Sequence, residues 1–232
     1  MNPLCNVLII GASRGLGLAL AREWLQRRCH VVATVRATSA PSALHDIAET
    51  AEGRLRVEPL DMTDPGAVAS LRQRLSEYRL DVLFVNAGVA NGPDDRVDRI
   101  TTEEFIRIMV TNTLSPMRVV ETFDELVRPQ GVIAVMSSSL GSVGLNEGGG
   151  WEVYRASKAA LNTLMRSYAA RHAGDSRSLA LVCPGWVRTD MGGPEASLTV
   201  EESVPRVVDA VMARRGKPGL LFFNYENEIV PW

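Results

Sequence analysis

A single doubly wound α/β domain, with a parallel sheet of about seven strands and helices on both faces, is what this chain predicts. Short, continuously apolar runs recur along it, as in Val7 to Ile10, Val82 to Val85 and Val132 to Met136. Between them lie longer stretches whose apolar positions follow the helical period. A glycine-rich turn falls at the first junction between the two kinds of segment. Strands without polar alternation are buried on both faces, as in a parallel sheet sandwiched by helices.

In chain order, Val7 to Ile10 forms a strand and Leu16 to Arg27 a helix. Val31 to Val35 is the second strand, and a helix covers part of Pro41 to Glu52. After a strand at Leu55 to Leu60, Asp64 caps a helix with Pro65 at its first position, predicted to reach Tyr78. Val82 to Val85 is a strand, and Thr102 opens a helical stretch to Val127 with a bend expected at Pro116. Val132 to Met136 is a buried strand that runs into a loop rich in Ser and Gly. A helix from Tyr154 to His172 and a strand from Leu179 to Val182 follow. A Gly- and Pro-containing loop, a helix from Glu201 to Ala213 and a strand from Leu220 to Phe223 complete the chain. No linker or low-complexity tract divides residues 1–232, so one domain is expected.

Composition narrows the function classes. With 232 residues, 46% hydrophobic and 22% charged, the chain is not a disordered one. A net charge of -2, with both signs interspersed, leaves no basic footprint for nucleic acid. No apolar stretch approaches the ~20 residues that span a bilayer. The run from Met1 to Ile10 lacks a basic leader and a cleavage site, so no secretion signal is read. Cys5, Cys29 and Cys183 are too few and scattered for a disulfide framework or zinc site, and read as buried thiols. His30, His45 and His172 are isolated, so no metal is expected, and the expected location is cytoplasmic.

The glycine turn is Gly11-Ala12-Ser13-Arg14-Gly15-Leu16-Gly17. Glycines there allow a tight turn and a close approach of the backbone to a pyrophosphate at the helix N-terminus. Their spacing differs from G-x-G-x-x-G. The second strand ends at Val35-Arg36, where an NAD-selective protein presents an acid to the ribose 2′-hydroxyl. Arg36 and Arg14 suit a 2′-phosphate instead, which favours NADP(H) over NAD(H); the alternative is two solvated surface arginines.

Tyr154 and Lys158 stand four positions apart and share a helix face. A phenol titrates near ~10, and a fixed cation beside it draws that value toward the neutral range. Such a pair can pass a proton to or from a substrate oxygen.

Taken with Asp61, Asn86-Ala87-Gly88, Asn112, Ser138 and Pro184-Gly185 followed by Thr189, the chain resembles the short-chain dehydrogenase/reductase family nearly end to end. Ser137 to Gly144, Tyr154 to Asn162 and Pro184 to Gly193 are similar to its C-factor/sniffer-like carbonyl reductase branch. The resemblance implies a Rossmann-type domain in which Gly11, Ser13, Arg14, Gly15, Leu16 and Gly17 line the phosphates. Asp61 would accept from the adenine amino group, or else cap the next helix, with Met62 beside the ring. Asn86, Ala87 and Gly88 would border the cofactor; the family usually has Asn where this chain has Val85. Pro184, Gly185, Val187 and Thr189 would hold the nicotinamide, with Thr189 on its carboxamide.

For catalysis the resemblance implies Ser138, Tyr154, Lys158 and Asn112. Ser137, Ser138 and Ser139 are consecutive, and Gly141, three residues after the family serine, selects Ser138. Ser138 would polarise a carbonyl, Tyr154 would donate the proton, Lys158 would hold the ribose, and Asn112 would complete a water relay. The implied reaction is NADPH-dependent reduction of a small-molecule carbonyl compound to an alcohol. The alternative is an NADP-binding signalling or sensor protein with vestigial reductase activity. Extra length at 146–151 reads either as a pocket wall ending in Trp151 or as a tolerated surface insertion. A homodimer or homotetramer is expected through the helices near 102–127 and 154–172.

Overall fold

A computed structural model describes residues 5–36, 43–92 and 95–232. Seven parallel strands order themselves β3-β2-β1-β4-β5-β6-β7. They are β1 (Asn6–Ile10), β2 (His30–Val35), β3 (Leu55–Pro59), β4 (Leu80–Val85), β5 (Val127–Met136), β6 (Ser178–Cys183) and β7 (Gly219–Asn224). Helices α1 (Gly15–Gln26), α2 (Ala43–Thr50), α3 (Pro65–Arg74), α4 (Thr102–Met109), α5 (Ser115–Phe123), α6 (Glu152–Arg171) and α7 (Val200–Met212) connect them. Every residue of β4 and β6 is buried, as strands covered on both faces require.

Two hydrophobic layers hold the sheet. On one face Leu20 and Trp24 of α1 pack with Val204, Val207 and Val211 of α7. On the other, Leu71 of α3, Phe123 of α5 and Leu161, Met165 and Tyr168 of α6 form a second layer. The strand order reverses between β1 and β4, which pair in parallel on either side of the switch. A crevice therefore opens beyond the C-terminal ends of these strands, where this architecture binds ligands.

Several expectations shift. The helix capped by Asp64, whose carboxylate accepts from the Gly66 amide at 2.7 Å, ends at Arg74 rather than Tyr78. The long stretch from Thr102 breaks at a π-helical turn, Val110–Leu114, just before Pro116, and stops at Phe123. Val127 begins β5, because parallel pairing with Leu80 captures it as strand. Pro41, part of the second predicted helix, and Met1 to Leu4 of the first apolar run lie outside the described residues.

The cysteine reading needs correction. Cys5 and Cys29 form a disulfide, with Cα atoms 4.7 Å apart, and Cys183 is the one free cysteine among the described residues. Parallel register sets Asn6 opposite His30, so the residues preceding them also stand side by side. Among the described residues no metal-binding cluster occurs, and no helix is long and apolar enough to cross a membrane.

Tyr168, fully buried on α6, donates to Asp124 Oδ2 at 2.7 Å and ties α6 to the end of α5. Tyr168→Phe leaves this carboxylate short of a donor, so chemical denaturation should show a loss of about 1–3 kcal/mol.

Candidate active site

The glycine turn, Asn86-Ala87-Gly88, Ser138 and Pro184-Gly185 follow the C-terminal ends of β1, β4, β5 and β6 in turn. The turn into α1 uses Gly11 (φ 86°) and Gly15 (φ 54°), conformations that favour glycine. A Cβ on Gly11 would lie 2.5 Å from Ala87 Cβ, and one on Gly17 2.0 Å from the Gly11 carbonyl oxygen. Asn86 Nδ2 donates to that same carbonyl at 2.7 Å, and the Gly11 amide donates to Thr34 Oγ1 at 2.9 Å. The turn thus closes onto β4 and β2.

At the start of α1, Arg14 provides no side-chain cap and the first turn holds no acid. Its first amides therefore lack a side-chain acceptor, an arrangement that fits a pyrophosphate. Ser13 and Leu16 flank Arg14 in this turn, with Leu16 packed against the core. Arg14 meets Asp190 at 3.0 Å in an exposed ion pair, a weak contact that an anion can displace. Arg36 is exposed at the end of β2. The Asp61 carboxylate accepts from the Thr63 amide and hydroxyl at 2.9 and 2.7 Å, and those bonds, together with the charge of Arg36, hold its pKa low. Met62 is buried with Leu60 and Val68. Val85, where the family usually has Asn, is a buried core residue paired with Ile10.

Four elements converge on Tyr154 and Lys158. Tyr154 is the third residue of α6, and its hydroxyl faces the side chain of Ser138. Ser137 is occupied elsewhere, donating to Asn162 Oδ1 at 2.7 Å, and the Ser139 amide points to Cys183 Sγ at 3.2 Å. Ser138 Oγ accepts from the Leu140 amide at 3.1 Å, and its side chain faces Tyr154. A Cβ on Gly141 would sit 2.8 Å from Lys158 Cβ, so the glycine admits the lysine stem. Lys158 Nζ donates to the Met136 carbonyl at 2.9 Å and lies 5.8 Å from the Tyr154 ring centroid.

Asn112 sits in the π-helical turn, fully buried. Its amide donates to Val89 O at 2.8 Å and Ser157 Oγ at 3.0 Å, while its oxygen accepts from the Val89 amide at 2.8 Å. A Cβ on Gly88 would meet Asn112 Oδ1 at 3.3 Å and Lys158 Nζ at 3.5 Å, so both groups border this glycine. Beyond β6, Ser203 anchors the Pro184 carbonyl at 2.6 Å, and Gly185 is left-handed at φ 82°. Val187 is buried and bridges to Leu198, and Thr189 Oγ1 accepts from the Gly192 amide at 3.1 Å.

One electrostatic expectation is not met by the protein alone. Burial pushes the Tyr154 phenol up to about 12, opposed by its bond with Ser138. Burial likewise pushes Lys158 down to about 8. Low polarity penalises both charged forms, and at this distance that outweighs the pull of ammonium on phenol.

Sequence reasoning passed over three contributors. Asn162 Nδ2 donates to Gly141 O at 3.2 Å and steadies the serine loop; its signal was a polar residue on a helix face one turn after Lys158. Asp95 Oδ2 accepts from the Tyr154 amide at 3.3 Å, and Glu152 Oε2 accepts from the Val97 amide at 2.9 Å. No local pattern announces those two. Trp151, at the end of the 146–151 segment, packs edge-on to Tyr154 with centroids 6.1 Å apart.

Residues 5–199 match the short chain dehydrogenase family. The chain belongs to that family. Among curated relatives, the C-signal protein of Myxococcus xanthus is 34% identical over 155 residues, covering 66% of this chain and 93% of that protein. A structure described as a short-chain dehydrogenase/reductase from Burkholderia multivorans with bound NADP is 50% identical with a TM-score of 0.97, covering 99% of this chain and 100% of that one. A carbonyl reductase from Pseudomonas aeruginosa PAO1 in complex with NADP is 39% identical with a TM-score of 0.91, at the same coverages. Family membership makes the protein an oxidoreductase.

Because Lys158 is pushed down by burial, its protonated form costs the fold free energy at neutral pH, below both its folded value of about 8 and its higher unfolded value. Lys158→Met fills the same space without that charge. At pH 7 the variant should melt at or above the temperature of the parent; a markedly lower melting temperature would contradict this.

Proposed function

We propose that the protein reduces a ketone or aldehyde to an alcohol, with NADPH as hydride donor. The observation that carries the reading is the Tyr154 hydroxyl facing the Ser138 side chain, beside a buried Lys158 that donates to the Met136 carbonyl, in a chain of this family. NADP bound in two similar structures supports the cofactor, as do Arg14 and Arg36 beside the phosphate turn.

The cofactor fits the residues present. Amides of the glycine turn and of Ser13, Arg14 and Leu16 would take the pyrophosphate, and Arg36 a 2′-phosphate. Asp61 and Met62 would border the adenine, Asn86-Ala87-Gly88 the middle of the cofactor, and Pro184, Gly185, Val187 and Thr189 the nicotinamide. When bound, the nicotinamide supplies the hydride. Lys158 would hold its ribose.

Ser138 donates to the substrate carbonyl oxygen and stabilises the negative charge that develops there. Tyr154, protonated at neutral pH because of its raised pKa, gives its proton to the same oxygen. Lys158 and Asn112 replenish that proton from water. The bonds of Asn112 to Val89 and Ser157 fix it in a turn whose π-helical form loosens the regular backbone ladder. Exposed Phe105, Ile106, Leu114 and Leu164 support self-association through α4, the π-helical turn and α6.

The rival reading, a cofactor-binding protein without turnover, gains weight from the C-signal relative. The full set of Asn112, Ser138, Tyr154 and Lys158 favours chemistry over it. A carbonyl screen followed by NADPH absorbance separates the two: tight NADPH binding with no turnover would favour the rival.

Tyr154→Phe should lower kcat by about 10²–10⁴-fold while leaving NADPH affinity nearly intact; retained turnover would sink the assignment. Arg36→Asp should weaken NADPH binding by about 10–100-fold through loss of a charged hydrogen-bond donor. Unchanged NADPH affinity, or equal affinity of the parent for NADH, would overturn the preference for NADP(H).

A further inference from the structure

We infer that Asp95 is a positioning residue for the proton donor: from a distant loop it caps the helix that carries Tyr154 and, with Glu152, fixes where the phenol stands. The inference rests on Tyr154 being that donor.

Helix α6 starts without a cap of its own. Its N-cap residue, Trp151, is left-handed at φ 52° and ψ 37°, and its side chain makes no capping bond. An N-cap residue normally has extended backbone and a short polar side chain that accepts from the first turn. Asp95 supplies the acceptor instead. Its Oδ2 accepts from the Tyr154 amide at 3.3 Å. The side chain is buried, with the residue 8% exposed, and Oδ1 has no partner among the described residues. A buried carboxylate at this place is held by the helix terminus almost alone.

The contact is reciprocal. While Asp95 satisfies the Tyr154 amide of α6, Glu152 Oε2 accepts from the Val97 amide at 2.9 Å. Each segment's carboxylate satisfies the other's backbone, as a capping box does within one helix, but across 55 to 59 residues of chain. The loop after β4 is thereby fixed twice: at Val89 by Asn112, and at Asp95 and Val97 by α6.

Position along the helix makes the cap specific for Tyr154. Its amide is one that Asp95 holds, so loss of the cap frees the turn from which the phenol projects. Lys158 lies a turn further in and keeps its bond to Met136 O. A lost cap therefore moves the phenol away from Ser138 while leaving the lysine in place. That predicts a fall in kcat without a fall in cofactor affinity.

The test compares Asp95→Ala, Asp95→Asn, Tyr154→Phe and a control, Asp64→Ala, which removes the cap of α3. The expected result for Asp95→Ala is a kcat lower by about tenfold or more with NADPH affinity unchanged, since small misplacements near the reacting atoms cost this much. Asp95→Asn keeps an oxygen acceptor and should recover most of the loss, while Asp64→Ala should keep parental kcat. Parental kcat in Asp95→Ala, an equal loss in Asp64→Ala, or no recovery in Asp95→Asn would overturn the inference. Should Asp95→Ala yield no folded protein, Glu152→Ala serves the same comparison: several-fold lower kcat supports the inference and parental kcat overturns it. Turnover retained in Tyr154→Phe would defeat the underlying reading of the site. A dead Tyr154→Phe beside a fully active Asp95→Ala would defeat the positioning role alone.

Discussion

A buried ammonium has to be held from several sides, and the arrangement around Lys158 shows what that demands. Its Nζ needs an acceptor, and the carbonyl of Met136 provides one only because β5 ends there. The lysine stem needs room beside the serine loop, which Gly141 leaves by having no side chain. Gly88 leaves the same kind of room at the end of β4, between Asn112 and the ammonium. The parallel sheet brings these strand ends to one edge, and α6 crosses that edge with its first turns. Isolated charge is expensive to bury, so each of these backbone details is part of the cost of placing a cation next to a phenol.

Around that cation the polar groups divide into those that hold the frame and those left free to act. Ser137, Asn162 and the Gly141 carbonyl form a closed set of bonds that steadies the loop. Ser138, at the start of this loop, accepts from the Leu140 amide at 3.1 Å and faces Tyr154. Asn112 spends its amide on Val89 and Ser157, so the π-helical turn, the strand end and the catalytic helix are one bonded unit. Rigid placement of this kind is what a site needs when it must aim a proton and a hydride at adjacent atoms.

The features readable in sequence were those with a local signature. Apolar strands, the glycine turn, the Asp64 cap and the Tyr154/Lys158 spacing depend on neighbours in the chain, and the structure keeps them. What escaped depends on contacts between distant segments. Cys5 and Cys29 look unrelated until parallel register sets β1 beside β2. Val127 has the composition of a helix end and becomes strand because Leu80 pairs with it. The caps exchanged by Asp95 and Glu152 join segments more than fifty residues apart. The phenol's pKa was misjudged for the same reason: spacing shows that a cation is near, while burial, which pushes Tyr154 up to about 12, is a property of the folded molecule.

For Tyr154 to give up its proton as the hydride leaves, the positive charge that arises at the nicotinamide has to offset this burial. Titrating the phenol directly tests that claim, using the near-ultraviolet difference spectrum between the parent and a variant in which Tyr154 is phenylalanine. Without cofactor the phenolate should form only at strongly alkaline pH, near the value of about 12 set by burial. With saturating NADP⁺ the transition should move well down toward neutrality. A phenol that titrates at the same pH with and without NADP⁺ would contradict the account.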